Sequence, residues 1–585
     1  MKKRYILICA AVLGTAWGAG AQNLNPTVEV TNQYEGKVME VAKPVIDMAV
    51  PDSLLRFDLE FDYSVFDTPY KGAYTFNPYL MDARPQPDAY RGRKFYLKLG
   101  AGYPLHPVVD LVYSPELTGP FHLNVYANHY SYIGKYKVRL GDWKRDFTGY
   151  DMKTRAGVDG RYDYEGGAIT FDAGYLGIHT KETDMPMTGL DGKEGLNALS
   201  VKARVRSLRT DEEFFHYDAA LSFLGGAQAS SLRDRLNINS FNFDATLGPV
   251  LNDKASILFD VHMDMNGYNG LFNSQTGSMY VTPKYVWYYD RWRISAGVRL
   301  SKTFHSEEPW MEKELGARKS ATLYPDVQIG YEAIADRLNL YALTTGGDHT
   351  PSYFELKESN HFFDPTFGHN VYPMTDNTVN RFRIKLGLQG NIAAKFRYDI
   401  GAGYAFVRNG MLDALCLLSW THLSGTPESS GETEWAWLPA VSYADYNLFF
   451  AEGNFTYDAR PVTVSGAFRY GKPDIRDFSF GFPPASTGML QVSYNWRDRI
   501  RAGITADGAL KRAGKAPTAS YGTDGSVLDV TIPAFVNLGL QGEFALTRQL
   551  SVWMQAGNLL NQNIQRHPLY PESGISLTGG MIFTL

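Results

Sequence analysis

The sequence predicts an all-β protein: a 22-stranded antiparallel transmembrane β-barrel preceded by a short N-terminal periplasmic or lumenal segment. Three observations carry this prediction. From residue 93 onward, segments of about ten residues alternate apolar and polar side chains, and turn residues separate them. The connectors between these segments alternate between short and long. The composition fits as well, with 38 Tyr, 33 Phe and 56 Gly. Beyond the first residues there is no apolar run of about 18 residues that would make a membrane helix.

The chain opens with the features of a secretory leader. Lys2, Lys3 and Arg4 precede the apolar stretch from Tyr5 to Val12, and Ala19-Gly20-Ala21 offers a small-x-small cleavage site. The expected organisation is a signal peptide over 1–21, an N-terminal periplasmic or lumen-inserted segment over 22–92, and a barrel over 93–585. Cys9 lies in the leader core and leaves Cys416 alone, so no internal disulfide framework is expected. A net charge of −5 is modest and gives no reason to expect a nucleic-acid partner.

The wall strands follow in order, from "KFYLKLGAGY" and "VVDLVYS" through "FRIKLGLQG" and "KFRYDIGAGYAF" to "LSVWMQAGNL" and "GISLTGGMIFTL", 22 in all. Short connectors such as "YEGG", "YDR", "NIAA" and "RD" alternate with long ones around 132–150, 180–196, 302–320, 348–380, 408–444, 509–532 and 561–573. Tight periplasmic turns and long outer loops produce this rhythm. An even count leaves both ends of the wall on one side. Barrels of 22 strands form the size class whose wide lumen is plugged.

Period-two alternation sorts each strand into a lipid face and a lumen face. Phe382, Ile384, Leu386 and Leu388 are expected toward lipid, with Arg381, Arg383 and Lys385 toward the lumen. Lys395 and Arg397 take the inner face of the next strand, opposite Phe396, Tyr398 and Ile400. Arg293 and Arg299 lie opposite Trp292, Ile294 and Val298, and Lys202, Arg204 and Arg206 lie opposite Leu199, Val201 and Val205. A charge on the lipid face at the midplane costs about 2–4 kcal/mol, which fixes the assignment. The expected lining is therefore basic, and these ten residues are candidate contacts for a ligand or for the N-terminal segment.

That segment contains "LRFDLEFDYSVF", Leu55 to Phe66, a strand pattern with acids on one face. Counted as wall, it would make the strand number odd. Asp58, Glu60 and Asp62 are instead expected within the lumen against the basic wall; the alternative is a strand of a small periplasmic domain with solvated acids.

The end of the chain carries a resemblance. Asn558-Leu559-Leu560-Asn561, then Tyr570-Pro571, then a last strand with Ile575, Leu577, Met581, Phe583 and terminal Leu585 on one face, resembles the closing hairpin of TonB-dependent receptors. The resemblance covers 93–585 and implies an outer-membrane barrel in a Gram-negative envelope. Plugs of that family usually exceed a hundred residues, whereas about 70 residues precede the first wall strand here. The chain therefore resembles a Bacteroidota-type group with a reduced plug. "TVEVTNQYEG" is the nearest candidate for a partner-binding strand, and dependence on TonB stays open.

Chemistry-bearing motifs do not emerge. There is no H-E-x-x-H, G-x-S-x-G, P-loop or Cys-pair pattern, so no enzyme, cofactor or metal is expected. Gly100–Gly102 and Gly401–Gly403 read as glycines at crowded lumen positions rather than a nucleotide loop. His349, Glu355, His361 and His369 share one long loop without metal-ligand spacing. The same loop carries Tyr353, Phe354, Phe362 and Phe363, candidates for stacking on a sugar or anchoring a protein, or for packing the loop on itself. Trp420, Trp435 and Trp437 pose the same choice. The function expected is a receptor or transporter barrel that binds or passes a solute. The alternative is a structural barrel in an envelope or surface-protein assembly. Lipids of the outer membrane are the constant partner.

Overall fold

The computed structural model describes residues 94–585, except 118, 141–142, 185–190, 208–214, 232–233, 253, 272, 306–320, 336, 364–377, 394, 420–434, 460, 476–480, 520–526 and 573. The expected leader, the 22–92 segment with Asp58, Glu60 and Asp62, and also His369 and Trp420 lie outside the described residues.

Among the described residues there are 26 strands and one short helix, Tyr353–Ser359. Four strands, Arg512–Ala519, Val527–Ile532, Gln565–His567 and Tyr570–Pro571, sit in connecting segments and leave 22 in the wall. Each wall strand pairs antiparallel with the next. The ring shuts where Phe95–Tyr103 meets Ser576–Thr584, from Tyr96↔Thr584 to Tyr103↔Leu577. Closure matters because an open edge would leave backbone N–H and C=O groups unpaired in hydrocarbon. Each of the 22 segments expected from the sequence forms a wall strand.

Both ends of the wall lie at the end with the short turns. There Tyr289 and Trp292 are joined by only Asp290-Arg291, with Asp290 at φ 51, the left-handed conformation that a twist-matched hairpin needs. Aromatics gather near this end, as a membrane-interface belt does. Trp287 stacks on Tyr289 at 5.3 Å and Trp292 meets Tyr331 at 4.6 Å.

Leu386 is 61% exposed on the outer face and its neighbour Lys385 only 8%, so adjacent residues divide between lipid and lumen. Leu199, Val201 and Val298 are likewise exposed outward. At Gly100 an added Cβ would come within 2.3 Å of the lumen-facing Trp553 ring, and at Gly403 within 2.0 Å of the Ile384 carbonyl. Both glycines therefore answer to close approach within the wall.

Two expected outer loops are instead strand. The region read as loop 132–150 is a hairpin paired without a break from Phe121↔Tyr162 to Leu140↔Trp143. The region read as loop 408–444 continues the strands Phe396–Ser419 and Trp435–Ala459, paired up to Ser419↔Trp435. These strands are 20 to 25 residues long, where about 9–11 suffice to cross a bilayer. Their upper halves stand beyond the membrane. There the alternation follows packing between loops, which is why turn-poor, aromatic loop sequence paired as sheet.

Candidate functional site

Several of the basic residues expected in the lumen are held beside acids on the inner face of the wall, a pairing the sequence reading did not anticipate. Acids one or two strands away answer them. Arg204 donates two hydrogen bonds to Asp218, at 2.7 and 2.6 Å. Buried Arg299 reaches Asp326 at 2.7 Å and the Gly346 carbonyl at 3.0 Å, with its guanidinium 4.2 Å over the Tyr280 ring. Arg383 and Lys385 share Glu452 at 3.4 and 2.8 Å. Lys284–Asp260 at 2.7 Å and Arg501–Glu543 at 3.2 Å extend the pattern. The acids were as legible as the bases; only the register showed them side by side. Arg206 shares the inner face, and Arg293 stands 5.4 Å over the Tyr288 ring. Lys202 is exposed on that face, and Lys395 and Arg397 are exposed beside a short turn. Arg381 is in the strand Thr378–Ile392, its side chain outside the described set.

The main arrangement that sequence reasoning missed is a strap across the lumen. Residues 350–363 leave the strand Leu338–His349, the thirteenth of the wall, and reach Asp151 on the fourth strand, Trp143–Tyr164. The two strands are nine steps apart in a ring of 22, where eleven steps would be diametrically opposite. Ser352 starts the helix Tyr353–Ser359, its side chain accepting from the Glu355 N–H at 3.3 Å. The Ser-x-x-Glu spacing at Ser352 and Glu355 was the readable signal for this helix.

The strap has two kinds of attachment. One side is apolar. Tyr353, Phe354, Leu356 and Phe363 are buried against Leu176, Ile178, Leu196 and Ile238, which belong to the inner face of strands elsewhere on the wall. Each such side chain contributes about 1.5–3 kcal/mol when buried. The other side is ionic. Fully buried Lys357 reaches Glu194 at 2.6 Å and donates to the Phe363 carbonyl at 2.9 Å. Glu358 accepts from Arg155 and lies 3.7 Å from Lys153. Burial pushes the Glu358 carboxyl up, but Lys153 and Arg155 outweigh it and hold the group below its ordinary range. His361 meets Asp151 at 2.6 Å, and the Tyr570 hydroxyl donates to the same carboxylate at 3.2 Å. Phe362 sits among Tyr136, Phe147 and Tyr570, with ring centres 5.4 to 6.0 Å away.

Tyr353, Phe354, Phe362 and Phe363 are thus core residues of the barrel mouth, all at most 8% exposed, and the structure does not display them to a ligand. Trp437 joins a second cluster with Leu140, Leu415, Phe482 and Ile532. Beside it, Asp413 accepts from Arg512 at 2.9 Å and meets His567 at 3.1 Å. The closing hairpin contributes directly: Asn558 and Asn561 adopt φ 45 and 49, a left-handed conformation that asparagine tolerates well, and Tyr570 of the Tyr-Pro pair is buried. Among the described residues no three His, Cys, Asp or Glu side chains gather around a metal position. His349 faces Glu355 at 3.5 Å while His361 is held by Asp151.

The described residues thus build a closed 22-strand antiparallel barrel with a polar lining and a strapped mouth. No family model and no curated protein matches the sequence. Solved structures do. The FrpB iron transporter of Neisseria meningitidis (F3-3 variant) is similar with TM-score 0.60 at 11% identity, over 86% of this chain and 83% of that one. FpvA of P. aeruginosa, bound to a heterologous pyoverdine, is similar with TM-score 0.59 at 12% identity, over 84% and 72%. The copper transporter OprC gives 0.56 at 14%, over 84% and 80%. At these identities the likeness is one of fold, and it agrees with the resemblance carried by the closing hairpin.

Proposed function

We propose that this chain is a receptor or transporter barrel of a Gram-negative outer membrane, exported by its leader, which binds or passes a solute through the lumen. The observation that carries the reading is the pairing of a transporter-type 22-strand wall with an inner face of Asp, Asn, Arg, Ser and Thr side chains, a lining suited to a hydrated solute. A deletion strain should show a growth defect confined to one nutrient, restored by the wild-type gene. Growth indistinguishable from the parent on every limiting nutrient would count against transport.

The N-terminal acids fit this reading. With Arg204, Arg299, Arg383 and Lys385 answered within the wall, exposed Lys202 and Lys395 are the partners proposed for Asp58, Glu60 and Asp62. Exchanging the three acids for Lys should make the 22–92 segment more accessible to protease. Unchanged protection would remove this contact from the proposal.

A second reading is a structural barrel within an envelope assembly. The observation favouring it is the strap, since a lumen crossed by a packed loop serves a scaffold without hindrance. Purification in mild detergent separates the two: an assembly subunit brings other envelope proteins at fixed ratio, and a solitary transporter does not. Whether TonB takes part is tested in the same preparation.

A further inference from the structure

We infer that Lys153 and Arg155 form an anion site on the lumen wall, occupied here by Glu358 of the strap, and that a carboxylate- or phosphate-bearing solute opens the outer mouth by taking the place of Glu358. The inference rests on the reading of the lumen as a solute path.

Lys153 and Arg155 are alternate residues of the strand Trp143–Tyr164, so their side chains project from the same inner face. The Arg155 side chain is 37% exposed, that of Glu358 28% and that of Lys153 13%. Arg155 is therefore the member reachable from lumen water, with Lys153 behind it holding the same carboxylate. Glu358 shows that the site accepts a carboxylate, and guanidinium donors suit phosphate equally. The contact belongs to the ionic side of the strap. Releasing Glu358 leaves Tyr353, Phe354, Leu356 and Phe363 seated on the wall. Opening is then a loosening of the Glu358–Phe362 stretch between the apolar anchors at Leu356 and Phe363, in which the His361–Asp151 and Phe362 contacts give way with Glu358. The Arg155 half of the contact is the more solvated one, and it is where a competing anion first takes hold.

The test reads strap position from outside. Ser222 faces the lumen four residues below Gly226, which is level with Ala198 under the strap, a depth of about 13 Å along the strand. In a Cys416→Ser background, Ser222→Cys on intact cells is treated with a membrane-impermeant maleimide. Labelling should be slow in the parent and roughly tenfold faster in Glu358→Gln, the scale of one charge-assisted hydrogen bond. Citrate and inorganic phosphate, each at constant ionic strength, should speed labelling of the parent, and the more effective of the two identifies the anion class. Lys153→Gln/Arg155→Gln should label fast and ignore both anions. Heat-modifiable migration on gels verifies that each variant is an assembled barrel. Labelling of the parent as fast as an exposed loop cysteine would overturn the seal. An unchanged rate in Glu358→Gln, or an anion response surviving in the double variant, would overturn the site. The labelling rate does not require a solute to cross, so failure of the transport reading is a separate result.

Discussion

The wall and the strap are built from the same kinds of residue under opposite rules. In the wall, neighbours in sequence go to opposite solvents: Leu386 to lipid, Lys385 to the lumen, where Glu452 meets it at 2.8 Å. In the strap, neighbours go to the same place. Tyr353, Phe354, Leu356 and Lys357 are all buried, because wall on one side and folded loops on the other leave the short helix little open face. Stability in the wall comes from the backbone ladder and the lipid boundary. In the strap it comes from a few side chains.

The sharpest way to break this comparison lies beside the strap, where loops meet. Asp413→Asn leaves Arg512, 6% exposed, without its charge partner. Breaking a buried pair this way costs about 3–5 kcal/mol. The strands Arg512–Ala519 and Val527–Ile532 should lose amide-exchange protection while the barrel stays assembled. pH follows with a definite sign. Burial pushes the Asp413 carboxyl up, but His567 and Arg512 hold it well below the ordinary carboxylate range. Its contribution is complete above the unfolded value of about 3.9 and is lost only as pH falls toward the lower folded value. Protection of the hairpin should be unchanged as far as Asp413 governs it between about pH 7 and 5. Loss in that window would mean that Asp413 is not the group holding it.

Phe354→Ala tests the anchor. Removing a buried Phe costs about 3–5 kcal/mol in a packed core. Here the loss should appear as protease cleavage within 350–363 and leave gel migration of the barrel unchanged. Leu386→Arg tests the wall, at about 2–4 kcal/mol near the midplane. It should lower the yield of assembled barrel without selective exposure of the strap. An effect of Phe354→Ala on assembly, or of Leu386→Arg on the strap alone, would erase the distinction.

This division also explains what was legible. Period-two alternation recovers all 22 wall strands, because lipid on one side and water on the other force each side chain to choose. It recovers the inner placement of Arg383 and Arg299 for the same reason. It does not recover Asp326 as the partner of Arg299 or Glu452 as the partner of Lys385, since those pairings depend on register between strands. The strap was illegible for a different cause. Phe362 meets Phe147, and His361 meets Asp151, 210 positions away in sequence, through tertiary packing that no local period encodes. The aromatics Tyr353, Phe354, Phe362 and Phe363, which the sequence left open between a ligand surface and loop packing, are buried. Only the Ser352–Glu355 spacing marked the helix locally.

The smallest expected effect gives the finest test, because it compares two acids on one strand. Asp146 and Asp151 both belong to Trp143–Tyr164. Asp151 is 4% exposed and joins His361 and Tyr570 from two other segments. Asp146 pairs with Arg139 at 2.5 Å, but its side chain is 58% exposed, at the solvated tip of the hairpin. Its hydrogen bond with Arg139 lowers its carboxyl below the ordinary value, so its contribution is present above the unfolded pKa and fades as pH falls through the lower folded one. Solvent screening limits such pairs to about 0–1 kcal/mol. Asp146→Asn should therefore leave strap protection and hairpin exchange nearly unchanged, while Asp151→Asn loosens the Phe362 end of the strap. If both substitutions loosen it equally, the hairpin tip bears on the strap, and the mouth would have to be treated as one rigid cap rather than an anchored loop with a releasable stretch.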